Sequence, residues 1–186
     1  MKRVVSQVRE HPSALLLGAQ LLQVLAWPFL LDSTAGRATL GVIGMVAVAA
    51  AVYAVRRTPA LGQIVLFLGA PALVFTLLEA LNPDTDWIVL TSAALHAPFY
   101  AYVSYAMLRY LFHDEKVTHD ELFATGAACT VVAWAFAYLY AASQVIWPGS
   151  FVGPLGDDQD WFELLFLSFT SLTGTGLSDI VPTLAH

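Results

Sequence analysis

Charged side chains are scarce in this chain. Asp, Glu, Lys and Arg together make up 12% of its 186 residues, about half the roughly 25% of a soluble domain. That deficit argues against a water-facing globule. Cysteine is nearly absent: Cys129 stands alone, so the fold has neither an internal disulfide nor a cysteine-based metal cluster. Cys129 lies in an apolar stretch and is expected to be a buried, inert thiol. The signatures G-x-S-x-G and H-E-x-x-H do not occur, and there is no Cys/His cluster. No enzymatic activity, no cofactor and no nucleic-acid partner are expected. No repeat of a known solenoid period is visible.

Hydrophobic residues fill the space that charge leaves. They account for 58% of the chain, and the mean hydropathy is +0.69. The expectation is an all-α integral membrane protein. Five apolar stretches stand out, at about Ser13–Leu31, Thr39–Val55, Leu61–Leu81, Trp87–Leu111 and Leu122–Trp147. Each suits a hydrocarbon core of roughly 30 Å at about 1.5 Å per residue. Turn-forming residues separate them: Asp32-Ser33-Thr34-Ala35-Gly36, Arg57-Thr58-Pro59 and Asn82-Pro83-Asp84. Pro28, Pro71 and Pro98 fall in or near spans, where a proline kinks a helix rather than stopping it. Met1-Lys2-Arg3 is basic, but no small-residue cleavage site follows a short apolar core, so the first span is expected to be retained.

Sidedness follows from the basic residues of the short loops. Lys2, Arg3, Arg9, Arg56, Arg57, Arg109 and Lys116 would share one side, with only Arg37 on the other. This places the N-terminus in the cytoplasm of a cell that carries the chain in its plasma membrane. Asp84, Asp86, Asp157, Asp158 and Asp160 then lie outside, and Trp27, Trp87, Trp147 and Trp161 fall near the outer boundary, as an aromatic belt would. The fourth span has no series of arginines, so residues 1–112 are expected to form a four-helix transmembrane region that does not sense voltage. Residues 113–121 form a cytoplasmic linker.

The C-terminal part departs from this pattern. Trp161-Phe162-Glu163-Leu164-Leu165-Phe166-Leu167 is apolar and aromatic. It leads directly into Ser168-Phe169-Thr170-Ser171-Leu172-Thr173-Gly174-Thr175-Gly176-Leu177-Ser178-Asp179-Ile180-Val181-Pro182, which is too polar and too glycine-rich to complete a span. Since the fifth span ends outside, this segment must enter from outside. A short re-entrant helix that hands over to extended backbone fits it. Irregular backbone at membrane depth requires protein or water to satisfy its polar groups, so the segment points to an ion pathway.

The run from Thr173 to Pro182 resembles the selectivity-filter region of the potassium channel superfamily, whose usual pattern is T-T-V-G-Y-G-D-x-x-P. Anchored on Asp179 and Pro182, the resemblance carries Thr173 onto the first filter Thr, Gly176 onto the central Gly and Asp179 onto the outer-mouth acid. It implies an ion pathway formed by Thr173, Gly174, Thr175, Gly176, Leu177, Ser178 and Asp179, and a pore helix that includes Trp161, Phe166, Ser168 and Thr170. Residues 122–186 would then comprise the outer pore helix, the re-entrant pore helix and a filter-like loop. Four copies around an axis, a lipid bilayer as surroundings and a monovalent cation as permeant species are implied with it. Thr175, Leu177 and Ser178 replace the family's Val, Tyr and second Gly, which should leave discrimination between K⁺ and Na⁺ weak. The family's inner helix would follow the loop, and none occurs before His186, so a complete channel subunit is expected to carry a further apolar span of about 20 residues. The runner-up reading is a non-conducting, channel-derived scaffold or regulatory subunit, and a secondary transporter is third.

Several polar residues lie within spans. Glu79 is a functional candidate or simply reaches the interface. His96 is expected to be a hydrogen-bonded core histidine, and Gln20, Gln23 and Gln63 to bond between helices. The run His113–Glu121 is expected to be a solvated loop with Asp120 and Glu121 at a helix N-terminus rather than a metal site. Asp157, Asp158 and Asp160 are expected to cap the re-entrant helix.

Overall fold

The computed structural model describes residues 12–30, 33–54, 59–82, 85–112, 118–154, 156 and 159–183. They form six helices: α1 (Pro12–Leu30), α2 (Thr34–Ala54), α3 (Pro59–Leu81), α4 (Asp86–Leu111), α5 (His119–Ile146) and α6 (Trp161–Leu172). Two short strands, β1 (Phe151–Val152) and β2 (Val181–Pro182), complete the fold. The fold is all-helical apart from this pair.

The helix starts have local causes. Pro12 and Pro59 each occupy the first position of a helix, where the missing N–H would have had no partner in any case. Thr118 and Glu121 form a capping box at the start of α5: the Glu121 N–H donates to Thr118 Oγ1 at 3.3 Å, and the Thr118 N–H donates to Glu121 Oε2 at 2.7 Å. In α4, Asp86 sits in the first turn and Arg109 in the last, each complementing the helix dipole. Pro28, Pro71 and Pro98 lie inside α1, α3 and α4 without ending them.

The five long helices close into a ring. Each packs on its sequence neighbour, and α5 also packs on α1. Short connections make neighbours antiparallel. The ring is tied where α1 and α5 begin: the backbone N–H and the hydroxyl of Ser13 both donate to the Asp120 carboxylate, at 3.0 and 2.7 Å. Asp120 therefore does more than favour a helix N-terminus.

Helix α5 is the hub. Ala124, Ala127, Ala128, Ala133, Ala137 and Ala141 give it small residues toward its neighbours, which lets backbones approach closely. Trp134 fills the space beside them, edge-on to Tyr100 at 5.4 Å. Cys129 is exposed on the opposite face of α5, so the expected burial of this thiol is wrong. The apolar character of its surroundings in sequence does not reveal which face a residue occupies. The outer surface of the bundle is itself apolar: Leu22, Leu25, Phe29, Leu66 and Phe67 are all mostly exposed.

Among the described residues, one helix, α5, is long and apolar enough by itself to cross a membrane. Leu16–Leu30, Leu66–Leu81 and Trp161–Leu172 are shorter apolar runs. Lys2, Arg3, Arg9, Arg56, Arg57 and Lys116, on which the expected sidedness rests, lie outside the described residues, as do Asp84, Asp157, Asp158 and 113–117 of the linker.

Candidate functional site

The first candidate is the hairpin built by α6 and the chain that returns from it. Asp160 caps α6: its Oδ1 accepts the Glu163 N–H at 2.8 Å, and Glu163 Oε2 accepts the Asp160 N–H at 2.8 Å. One face of α6 packs inward. Leu164 and Leu165 are buried, and the Ser168 hydroxyl donates to the Ala133 carbonyl of α5 at 2.8 Å. Trp161 lies against Trp27 of α1 at 4.9 Å and Tyr138 of α5 at 5.6 Å. Phe166 points away and is about half exposed.

Twelve residues carry α6 about 18 Å. Residues 173–180 then bring the chain back beside Leu164 and Leu167. Two contacts fix the return. Ile180 is buried in a cluster with Leu164, Leu167, Ala141 and Phe151. β2 then pairs antiparallel with β1, with Phe151 opposite Pro182 and Val152 opposite Val181. β1 belongs to the connection between α5 and α6, which is itself held by two bonds between the Gln144 side chain and the Gln159 backbone, each 3.0 Å. The segment therefore leaves and returns at the same end of the bundle.

The tip is compact rather than extended. Gly174 and Gly176 have φ of 69° and 60°, with no non-glycine residue at positive φ among the described residues, so the sign of φ alternates from Thr173 to Leu177. Both glycines occupy a region that a side chain disfavours. The Gly174 N–H donates to the Ser171 carbonyl at 3.2 Å, as in a Schellman cap. The Gly176 N–H and the Thr175 hydroxyl both reach the Thr170 carbonyl, at 3.2 and 3.3 Å. Thr173 Oγ1 meets Phe169 O at 2.8 Å and Thr175 Oγ1 at 3.1 Å. The expected handover to extended backbone is thus replaced by a tip that folds onto the end of its own helix, because orphan helix carbonyls recruit the nearest donors. Thr173, Gly174, Thr175, Gly176, Leu177 and Asp179 are exposed, and Ser178 is half-buried with its hydroxyl accepting the Ile180 N–H at 3.2 Å. Thr170 is buried and bonds back to Leu167 O at 3.0 Å.

The second candidate is a cavity of about 700 Å³ among the helices, with the exposed Asp86 and Asp160 in its lining. Glu79 and Thr76 line it, and behind them Ser92 donates to Glu79, and the Ser92 hydroxyl also lies 3.2 Å from His96 Nδ1. His96 Nε2 meets the Thr76 hydroxyl at 3.0 Å. His96 is fully buried, as expected of a core histidine, and its ring stacks on Tyr138 at 4.4 Å. Glu79, left between two readings by the sequence, lines the cavity. Gln20 and Gln23 do not bond between helices as expected. Both Gln20 side-chain polar atoms and Gln23 Oε1 are buried without a protein partner among the described residues. Gln63 is exposed.

Sequence reading missed this cavity, although the polar groups around it had a signal. Thr76 and Glu79 are three apart on α3, and Ser92, His96 and Tyr100 are four apart on α4. Those spacings put each set on one helix face, and a short loop joins the two helices. Comparison with known proteins finds no matching family model, no matching curated protein and no matching solved structure.

Proposed function

We propose that the chain is an integral membrane subunit with five transmembrane helices and a re-entrant hairpin, and that the hairpin lines a cation pathway in a tetramer. The observation that carries this reading is the hairpin itself: a capped helix of 12 residues dips in, and the chain climbs back to pair with the segment before it. The exposure of Leu22, Leu25, Phe29, Leu66 and Phe67 supports a lipid surround, because a water-facing surface rarely leaves so many large apolar side chains mostly bare. The exposed Thr173–Leu177 tip supports assembly around an axis, since the backbone groups it does not pair with its own helix find no partners in lipid. Asp179 then stands at the outer mouth, where a ring of carboxylates concentrates cations. In this assembly the α6 dipole, the Thr173 and Thr175 hydroxyls and Asp179 make the pathway cation-preferring, and Leu177 and Ser178, in place of Tyr and Gly, leave it poorly selective between K⁺ and Na⁺.

A second reading, a non-conducting scaffold or regulatory subunit, has one observation in its favour. The tip already satisfies the Thr170 and Ser171 carbonyls within its own chain, which leaves fewer oxygens to strip water from an ion. Two measurements on the full-length protein decide between them. In membranes, a cysteine replacing Asp179 in a Cys129→Ser background should crosslink between copies; failure there, with outer-surface controls crosslinking, refutes the axial assembly. In planar bilayers, a cation-selective reversal potential supports the channel, and absence of current from a crosslink-competent assembly supports the scaffold.

A further inference from the structure

We propose that the cavity among the helices binds a small organic ammonium ion at a site separate from the α6 hairpin tip. Its volume, about 700 Å³, lies within the range of small-molecule pockets, roughly 300–1,000 Å³, and far exceeds what a bare metal ion fills. The charged groups on its wall are all acidic: Glu79, Asp86 and Asp160, with no Lys or Arg among the described lining residues. A neutral or anionic ligand gains nothing from such a wall.

Five aromatic side chains share that wall with small, apolar and amide residues. Trp27, Trp161, Tyr138, Tyr100 and Trp134 follow one another with ring centroids 4.9, 5.6, 5.8 and 5.4 Å apart. Aromatic faces attract alkylammonium ions, and the attraction grows as the site is shielded from water. The carboxylate that would anchor the charge is held in place rather than free: Ser92 donates to Glu79, Ser92 meets His96, and His96 is held in turn by Thr76. Gln23 supplies an independent sign. It lines the cavity, is more than nine-tenths buried, and its Oε1 has no partner among the described residues. A buried acceptor left without a donor is costly, and a hydroxyl or N–H on a bound ammonium compound would satisfy it. The indole N–H groups of Trp27 and Trp161 are likewise unpartnered and suit an oxygen on the same ligand. A hydroxyalkylammonium ion combines these features.

The test uses the full chain in lipid nanodiscs, with the fluorescence of the cavity tryptophans as readout. Choline is titrated against 3,3-dimethylbutan-1-ol, its uncharged isostere. Choline should give a saturable change, and the isostere should bind at least roughly tenfold more weakly because it has no charge for the rings or Glu79 to attract. Glu79→Gln should weaken choline by roughly tenfold and leave the isostere unaffected. Tyr138→Leu, which keeps every carboxylate, should also weaken choline and covers the case in which Glu79→Gln does not fold. Asp179→Asn should leave the affinity for choline unchanged, whatever it does to ion conduction, which separates this site from the hairpin tip and from any failure of the channel reading. Equal binding of the isostere, displacement of choline by equimolar K⁺, or no saturable change overturns the proposal.

Discussion

Replacing Asp160 by Ala should unseat the start of α6 by an amount that its geometry sets. The substitution removes the acceptor of the Glu163 N–H, now 2.8 Å away, and an N-cap of this kind contributes about 1 kcal/mol. It also removes a negative charge from the positive end of the helix dipole, for about a further 0.5 kcal/mol. Helix α6 has only 12 residues, near the lower limit at which a helix persists without help, so the loss of about 1.5 kcal/mol should appear as local opening. That is roughly a tenfold rise in the opening equilibrium. Hydrogen–deuterium exchange of residues 160–172 in nanodiscs reads it directly. Asp160→Ser should restore most of the protection, because a hydroxyl serves as a cap nearly as well. Glu163→Ala removes the reciprocal bond, and the two substitutions should couple by about 0.5 kcal/mol or more. Unchanged protection in Asp160→Ala would refute the idea that the cap holds the hairpin, leaving the packing of Trp161, Leu164, Leu165 and Ile180, the Ser168 bond and the strand pairing to hold it.

Three further outcomes follow from the packing. Gly41→Leu should destabilise the bundle by about 1–3 kcal/mol in an unfolding titration, since even a Cβ there collides with Thr76 Cγ2. Gly176→Ala should lose about 1–2 kcal/mol of tip stability through backbone strain alone, as nothing lies within 4 Å of the added carbon, and Gly176→Asn should lose less; equal behaviour of Ala and Gly would contradict the positive φ. Single cysteines at Ser33 and Thr118, in a Cys129→Ser background, should divide by side, with impermeant thiol reagent reaching position 33 from outside and missing 118; the reverse pattern inverts the topology.

The helices were legible because hydrophobic length and turn residues mark them together. The expected Trp87–Leu111 and the observed Asp86–Leu111 differ by one residue, and Leu122–Trp147 became His119–Ile146 only because Thr118 and Glu121 extend the helix by a capping box. The hairpin was legible for the same reason that its tip was not. Trp161–Leu172 has the length and polarity of a short helix, so its existence follows from composition. The tip depends on which donors reach the Thr170 carbonyl, and that is a matter of three-dimensional geometry. Glycines at 174 and 176 announce an unusual backbone without saying whether it is drawn out or curled.

Faces were the information that linear reading lost most often. Cys129 and Ala128 are adjacent, yet one is exposed and the other buried, because neighbours on a helix point about 100° apart. The same rule explains the missed cavity. Glu79 and His96 were weighed one at a time, and singly each has an ordinary explanation. Placed on the facing sides of α3 and α4, they share Ser92 and Thr76 in one connected chain of hydrogen bonds. A chain that repeatedly places polar groups on the inward faces of apolar helices must satisfy them there. Ser92, His96 and Thr76 achieve this with one another, whereas Gln23 Oε1 has no protein partner among the described residues. The difference between those two outcomes, around one cavity, separates polar residues that hold the bundle together from a polar residue that awaits a ligand.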